Sequence, residues 1–482
     1  MKNLIYFTQR DGYPFSKPSL RYWLTKNLIT FLAIILILLP QQGCNTTEPT
    51  LKPELALELE DVSCTEAWIQ LTTNNIQLPA TINLLKNNSI SQVFVLNTQD
   101  SLLYIDSLLP NQNYSFQVSH IVAGSIQHQV TSILSNKLTV TTLDTTSHEF
   151  SWQSWEFGEI TNQSTLYDAA IIDENNIWAV GEIYMLDSLG RPDPNAYNAV
   201  HWDGTKWELK RIYTYSSCNP VDYAPLKAVW VFSDTNIVVT SGGSIGWYNG
   251  KTNRPDCTIR PLLTGSLNKL WGSSSEDLYA VGNNGNIAHY NGTSWTKIES
   301  GTELSLSDIS KNSRNAIFVC GGNLAYAKGI ILKSDDGKNF SKFVEGDNIP
   351  ESQLFNPKLY GSFSSIWVDE NNTLYSGGNI LFQNKLNHWS YVKSLPENYI
   401  GGNPGVYYRG YITRVKGTAS NDMWIAGDRN TVRHFNGITW QQIGLPYNPN
   451  IDLVWRGIDC SENITVIAGS YNRSATIIMI KR

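Results

Sequence analysis

The sequence predicts an all-β protein, and three observations lead to this class. Charged residues make up only 16% of the 482 residues, whereas the chain holds 16 Trp, 24 Tyr and 35 Gly. Short apolar runs recur with Asn-Gly or Asp-Gly between them, and no long helical pattern follows the N-terminal region. Aromatic residues favour strands, and Asn-Gly favours tight hairpin turns. At this length two or three domains are expected.

The clearest unit is residues 267–300, which hold four strand-like runs, LNKLW, DLYAVG, NIAHY and TSWTKI. Turn residues separate them, including Asn283-Asn284-Gly285 and Asn291-Gly292. Asn and Gly both tolerate positive φ, so such pairs join antiparallel strands tightly. The stretch therefore predicts one four-stranded antiparallel sheet.

The second strand of this unit recurs along the chain. Each copy begins with Asn or Asp and ends in Gly, which we expect to let the backbone enter a tight hairpin. The copies are residues 176–181, 236–242, 277–282, 315–321, 372–377, 422–427 and 463–469. Four-stranded units repeated at about 40 residues predict a β-propeller. We predict seven blades over residues 149–482, with the run at 150–157 completing the last blade.

A second signature closes several units. It reads His-aromatic-(Asp/Asn)-Gly-x-x-Trp at residues 201–207, 289–295 and 434–440, with a partial copy at 247–250. In the fourth unit Asp335, Gly337 and Phe340 resemble the Asp-box turn of β-propellers, although Lys333 departs from its first position. Because His201, His289 and His434 occupy equivalent positions in separate blades, we interpret them as framework residues rather than as a site.

Residues 51–145 lack this repeat and predict a separate β-sandwich of about seven short strands. The spacing Leu108-x-Pro110-x-x-x-Tyr114 fits a corner in which the Tyr hydroxyl returns to the upstream backbone. With Trp68 in the second strand, this segment resembles a fibronectin type III domain. The resemblance implies a spacer or adhesion module without catalysis.

The first 43 residues are predicted to be a signal peptide, because basic residues precede the apolar run 28–39. A single anchoring helix is the alternative. Cys44 follows Gly43 at the end of this region, which resembles the lipobox of bacterial lipoproteins, with Gln41 departing from the pattern. The resemblance implies acylation (palmitate) on Cys44, a tether at 44–50, and a body held outside the cytoplasm at a bacterial membrane, with the outer membrane expected.

Without the leader the net charge is near −10, because residues 1–43 contain five basic residues and one acidic residue. An acidic body argues against a nucleic-acid partner. Five other cysteines remain, without a CxxC pair, and we expect no metal site and no cofactor. Cys218 and Cys257 can pair because they flank one unit. Scattered buried thiols are the preferred interpretation.

Loops on one face of the propeller carry the predicted ligand contacts, because Tyr, Arg, Asp and Asn recur where the first strands begin and the second strands end. The predicted contact residues are Tyr167, Tyr223, Tyr360, Tyr408, Arg409, Tyr411, Asp428, Arg429, Tyr447, Tyr471 and Arg473. We expect a monomeric, non-catalytic module that binds a protein or a glycan. The alternative is a carbohydrate-active propeller enzyme, a glycoside hydrolase or lyase.

Overall fold

A computed structural model describes residues 7–8, 52, 54–123, 130–158, 163–216, 218–346, 359, 361–392, 411–448 and 453–482. These residues divide into two compact units, Met1–Leu143 and Asp144–Arg482. The predicted lipidation site Cys44, the tether and all but two residues of the predicted signal peptide lie outside the described residues. No helix within the described ranges is long and apolar enough to cross a membrane.

The first unit contains two antiparallel sheets around one core. One sheet has the strand order β1-β6-β3-β2, and the other has β5-β4-β7-β8, with β9 also pairing with β7. Its strands are β1 (Phe7–Thr8), β2 (Glu54–Val62), β3 (Ala67–Asn74), β4 (Ala80–Lys86), β5 (Ser89–Leu96), β6 (Asp100–Ile105), β7 (Asn113–Ala123), β8 (Val130–Leu134) and β9 (Leu138–Thr141). Both sheets contribute fully buried residues to the core, among them Ile69, Ile82 and Phe116.

The predicted tyrosine corner is present in this unit. The backbone N–H of Leu109 donates a hydrogen bond of 2.9 Å to the Tyr114 hydroxyl. Trp68, however, does not enter the core, because it lies on the less buried face of β3, between the buried Ala67 and Ile69, and its ring contacts Tyr104 at 5.4 Å. In β3 the alternation of positions, and not the size of Trp68, marks the residues that reach the core.

The second unit is built from repeated four-stranded antiparallel sheets of the propeller type, seven within its described residues. The first four consist of β11–β14, β17–β20, β21–β24 and β25–β28 in chain order. Their strands are β11 (Thr165–Asp173), β12 (Asn176–Ile183), β13 (Tyr197–Trp202), β14 (Trp207–Lys210), β17 (Ala228–Ser233), β18 (Asn236–Ser241), β19 (Ser244–Tyr248), β20 (Asn253–Asp256), β21 (Leu267–Ser274), β22 (Asp277–Gly282), β23 (Ile287–Tyr290), β24 (Trp295–Ile298), β25 (Leu306–Lys311), β26 (Ile317–Asn323), β27 (Lys328–Ser334) and β28 (Ser341–Gly346).

Two further sheets follow the same order, β29–β32 and β33–β36, and the last has the order β10-β39-β38-β37. A two-stranded ribbon, β15 (Tyr215–Ser216) with β16 (Asn219–Pro220), and 3-10 turns at Arg260–Leu262 and Leu324–Tyr326 complete the unit. The remaining strands are β29 (Phe363–Val368), β30 (Leu374–Gly378), β31 (Phe382–Lys385), β32 (His388–Tyr391), β33 (Ile412–Ala419), β34 (Asp422–Gly427), β35 (Val432–Phe435), β36 (Trp440–Gln442), β10 (Ser151–Phe157), β37 (Leu453–Cys460), β38 (Ile464–Tyr471) and β39 (Ser474–Lys481).

The first strands of successive sheets pack against one another, and β37 also packs against β11. The last sheet takes its outer strand from the beginning of the unit, because β10 pairs with β39 from Ser151 opposite Lys481 to Phe157 opposite Ala475. The first strand of every sheet therefore has a packed neighbour on each side.

Carboxylates join first strands of different sheets. Asp168 on β11 accepts from the Val229 backbone N–H at 3.1 Å and from Lys269 Nζ at 2.5 Å. Asp308 on β25 accepts from the Ile366 N–H at 3.1 Å. Asp459 on β37 accepts from the Ile171 N–H at 2.9 Å. The three bonds from backbone N–H groups join neighbouring sheets, and the Lys269 bond joins the first sheet to the third, so these carboxylates connect the sheets as well as satisfying backbone groups.

The repeated (Asp/Asn)-Gly turns share one local structure. In the third sheet, the Asn291 side-chain oxygen accepts from the backbone N–H groups of Thr293 and Ser294, and Gly292 has φ +90°. In the fourth sheet the acceptor is Asp336, which directly precedes the turn glycine, and not Asp335, the residue aligned with the Asp of the Asp box. Asp335 instead pairs with Lys333. The matching acceptors elsewhere are Asp203, Asn249 and Asn436.

The repeated histidines are framework residues in the structure. His289 Nε2 bonds to Asp277 Oδ1 at 2.8 Å, within the same sheet, and its ring stacks on Tyr279 at 4.3 Å. His201 and His434 make the equivalent bonds to Asn176 and Asp422, at 2.9 and 2.8 Å. Each histidine therefore ties the third strand of its sheet to the start of the second.

Cys218 and Cys257 form a disulfide, with Cα atoms 5.5 Å apart. The preferred interpretation of scattered thiols is therefore wrong for this pair. Among the described residues Cys320 is a buried free thiol, Cys460 is a half-buried one, and Cys64 is buried. The disulfide joins the ribbon loop before the second sheet to the loop after it. The pattern of strands does not show that these two loops contact each other.

Candidate binding site

The candidate site lies at one edge of the sheets of the second unit. At this edge the first strand of each sheet begins and the second strand ends. Five side chains form it, and we call them the rim cluster: Tyr167, Glu182, Tyr184, Lys227 and Arg456. The Glu182 carboxylate accepts from two phenols, that of Tyr167 and, at 2.8 Å, that of Tyr184. The carboxylate and both phenols come from the first sheet, because β11 and β12 are antiparallel neighbours whose rim ends coincide.

Two cations from the adjoining sheets flank Tyr167. Lys227 Nζ lies 3.2 Å from the centre of its ring, and the Arg456 guanidinium lies 5.8 Å from it. Lys227 immediately precedes β17, and Arg456 is on β37. Cations over an aromatic face are attracted by the ring quadrupole. The cluster therefore spans three sheets around one tyrosine.

Burial sets the protonation of the cluster. Burial, followed by the hydrogen bond to Glu182, raises the pKa of Tyr167 well above its usual value and that of Tyr184 to about 12. Burial lowers the pKa of Lys227, although the Glu182 carboxylate opposes this shift. Both tyrosines are therefore neutral hydrogen-bond donors at neutral pH.

The chemistry that this arrangement offers is recognition. Phenols, a carboxylate and two cations provide hydrogen bonds, charge and an aromatic face for a polar ligand. Hydrolysis of a glycosidic bond ordinarily uses two carboxyl groups. Glu182 is the one carboxylate of the cluster, and both its oxygens already accept from tyrosines.

Nowhere in the described ranges do three metal-ligating side chains gather into a candidate metal site.

Of the residues predicted from sequence, Tyr167 belongs to the rim cluster. Tyr447 and Tyr471 pair with each other, with ring centres 4.6 Å apart, and Tyr447 is buried against Trp455. The Arg473 carbonyl accepts from the backbone N–H of Ser164 at 2.7 Å. Tyr447 is therefore a packing residue.

Two hydrogen bonds join Asp428 to Tyr411, which directly precedes β33. The Tyr411 N–H donates to Asp428 Oδ1 at 3.0 Å, and the Asp428 N–H donates to the Tyr411 carbonyl at 3.1 Å. Arg429 follows in the turn with φ +50°. Tyr223 lies elsewhere, with its ring tilted against that of Tyr213 and the ring centres 4.7 Å apart. The remaining predicted contacts, Tyr360, Tyr408 and Arg409, lie outside the described residues.

The predicted contact residues omit four members of the rim cluster, Glu182, Tyr184, Lys227 and Arg456. Two of them have a signal in the repeat, because Glu182 directly follows the repeated glycine Gly181 and Lys227 directly precedes the first strand of the next sheet. A search for aromatic loop residues passes over these positions. A search for charged residues at strand ends that share one rim identifies them.

No family model and no curated protein matches the chain. Similar solved structures include one described as YCF48 bound to D1 peptide, 13% identical, covering 70% of this chain and 96% of its own, with a TM-score of 0.49. The WD40 β-propeller domain of Doa1 is 12% identical over 68% of this chain and 97% of its own, with a TM-score of 0.47. PorZ of Porphyromonas gingivalis, described as a surface component of the type-IX secretion system, is 11% identical over 87% of this chain and 62% of its own, with a TM-score of 0.46. The sheet order, rather than these similarities, defines the propeller-like architecture of this chain.

Proposed function

We propose that this chain is a cell-envelope lipoprotein whose second unit is a non-catalytic binding module. In this proposal Cys44 carries the lipid, residues 51–145 are a fibronectin type III-like spacer, and residues 149–482 form a seven-bladed propeller closed by β10. The tyrosine corner supports the spacer assignment. The strand order β10-β39-β38-β37 supports the closure.

The rim cluster is the observation that carries the binding proposal. It presents an aromatic face, two phenols and two cations on strands held by bonds between sheets. A rigid scaffold lowers the entropy lost when a ligand is bound. The ligand that fits is a protein or glycan surface rich in hydroxyl and acidic groups, because such groups can pair with Lys227 and Arg456 beside the Tyr167 ring.

The disulfide supports a location outside the cytoplasm. Disulfides persist in oxidising compartments and are rare where glutathione keeps thiols reduced. The Cys218–Cys257 bond is therefore compatible with an envelope protein exported through a signal peptide.

The lipid anchor has a direct test. Replacing Cys44 with serine removes the acylated thiol, and we expect the chain to move from the membrane pellet to the soluble fraction. Each buried methylene contributes about 0.8 kcal/mol to membrane binding, so losing the acyl chains abolishes stable anchoring. Labelling with a palmitate analogue gives the second readout. A variant that remains in the pellet and still takes the label would contradict the assignment.

The binding role is tested with the mature chain on a glycan array and on immobilised envelope proteins. Lys227→Gln and Tyr167→Phe are expected to weaken the selected interaction about tenfold each, because hydrogen bonds to charged groups contribute about 1.5–3 kcal/mol. Tyr326→Phe is the matched control, since Tyr326 is 69% exposed in a different loop. Equal losses in all three variants, or none in the rim variants, would place the contact elsewhere.

One observation favours a second candidate, a glycoside hydrolase. A tyrosine bonded to a glutamate and flanked by cations has the composition used by sialidases, whose nucleophile is Tyr. The raised pKa of Tyr167 opposes this role in the unliganded chain. Release of a fluorescent aglycone from a sialoside by the wild-type chain, lost in Tyr167→Phe, would establish the enzyme in place of the binding module.

A further inference from the structure

A second site lies between the first strands, away from the rim cluster. It is a cavity of about 170 Å³ whose walls come from six of the seven first strands. Its lining includes three tryptophans and four cations. These side chains are Trp230, Trp271, Trp367, Lys269, Lys311, Arg414 and Lys416. Asp308 is the one carboxylate in the lining.

The aromatic wall of the cavity is fixed by its neighbours. The rings of Trp230 and Trp271 are 6.3 Å apart, and Trp367 stacks on Tyr375 with ring centres 5.6 Å apart. Lys311 Nζ lies 5.5 Å from the Trp271 ring. An entering group therefore meets flat apolar faces with a cation beside them.

Carboxylates reach three of the four lining cations. Asp168 pairs with Lys269 at 2.5 Å, Asp459 lies 3.5 Å from Lys416, and Asp277 interacts electrostatically with Lys311. Asp308 is occupied by neutral donors, because it accepts from Ser365 Oγ at 2.6 Å and from two backbone N–H groups. The lining itself therefore holds four cations and the single carboxylate Asp308.

The Arg414 guanidinium has a donor that makes no hydrogen bond. Its Nη1 donates to the carbonyls of Ser364 at 3.2 Å and Thr413 at 2.9 Å, which hold the guanidinium in place. Its Nε is buried without a partner. A buried donor without an acceptor costs about 1–3 kcal/mol, so an anion that reaches this guanidinium recovers free energy.

Size and charge together define the occupant. At about 30 Å³ for each water, the cavity holds roughly five or six water molecules, less than the about 300 Å³ typical of the smallest drug-sized sites. Because carboxylates already reach three of the four cations, the cavity suits a monoanion better than a phosphate dianion, and the tryptophan faces match a flat or apolar body. We propose that this cavity binds the carboxylate of a small organic acid, free or at the end of a larger ligand, against Trp230 and Trp271.

Benzoate is the probe, titrated into the mature chain while tryptophan fluorescence and thermal unfolding are followed. Wild-type protein is expected to bind benzoate, and Lys311→Gln and Lys416→Gln are expected to raise the dissociation constant about tenfold. Lys342→Gln is the matched control, because Lys342 is 57% exposed on the outer strand β28. Lys311→Gln keeps the test valid if Lys416→Gln does not fold, because Lys311 is not part of an inter-sheet carboxylate bond.

Three comparison probes test which functional group of the ligand the cavity binds. Benzyl alcohol is expected to bind at least tenfold more weakly than benzoate, and phenyl phosphate no more tightly than benzoate. Equal binding of benzyl alcohol, tighter binding of phenyl phosphate, or no benzoate binding would overturn the proposal. N-acetyl-Gly-Phe, which carries a peptide carboxylate, distinguishes the source: binding as tight as benzoate indicates a chain end, and weaker binding indicates a free acid. Tyr167→Phe is expected to leave benzoate binding unchanged, so this result is independent of the rim cluster.

Discussion

Replacing Asp168 with alanine is expected to lower the free energy of unfolding of the second unit by about 3–5 kcal/mol. The change leaves Lys269, whose side chain is 13% exposed, without its carboxylate partner. It also removes the acceptor of the buried Val229 N–H. Breaking a buried ion pair from one side is costly because the remaining charge stays desolvated.

The control is the same substitution in an exposed pair. Asp335 is 75% exposed and pairs with Lys333, and Asp335→Ala is expected to cost no more than about 1 kcal/mol. Urea unfolding followed by tryptophan fluorescence reports mainly on residues 144–482, which contain 14 of the 16 tryptophans. If both variants lose the same stability, the Asp168 bonds between sheets contribute no more than a surface pair does.

Replacing Gly282 with alanine is expected to cost about 3 kcal/mol, at the upper end of overpacking losses. A Cβ at Gly282 would lie 2.1 Å from the Ser266 carbonyl oxygen and 2.9 Å from the Leu267 Cα. These are backbone atoms of the strand next to it, so relief requires that β21 and β22 separate. The same urea titration measures the loss.

Gly444→Ala is the matched glycine control. No heavy atom lies within 4 Å of a Cβ built there, and its φ is outside the left-handed region. Its stability is therefore expected to stay within about 0.5 kcal/mol of wild type. A Gly282→Ala chain as stable as Gly444→Ala would show that the strands adjust freely at this contact.

The glycine that ends each second strand shows where local reasoning succeeds and where it fails. The repeat located Gly181, Gly282, Gly321, Gly427 and Gly469, and the predicted reason was entry into a hairpin. None of these five has positive φ, and a Cβ at each would lie 2.0–2.3 Å from a carbonyl oxygen at or directly before the start of the first strand. Gly242, the copy in the second sheet, has φ +54°, as hairpin entry requires. The position was readable because it repeats. For the other five the cause was not readable, since it depends on how closely two strands approach.

The strands and their turns were readable for a similar reason. Asn291-Gly292 forms its turn through the Asn291 side chain and two N–H groups within three residues, so the whole interaction lies in a short stretch of sequence. The rim cluster is different. Tyr167, Lys227 and Arg456 come from three sheets, and only the packing of those sheets brings them together. The Cys218–Cys257 pairing was visible as a possibility, because the two residues flank one sheet, but their spacing did not decide it.

Because β10 pairs with β39, the folding of this chain depends on the order in which its strands are synthesised. Trp152 pairs with Ile480, so a strand synthesised early has no partner until the last residues have emerged. Contacts so distant in sequence form slowly, because a long loop must close before they stabilise the fold. The other sheets can form first, while β10 remains an unpaired strand that can pair with a second copy of the chain.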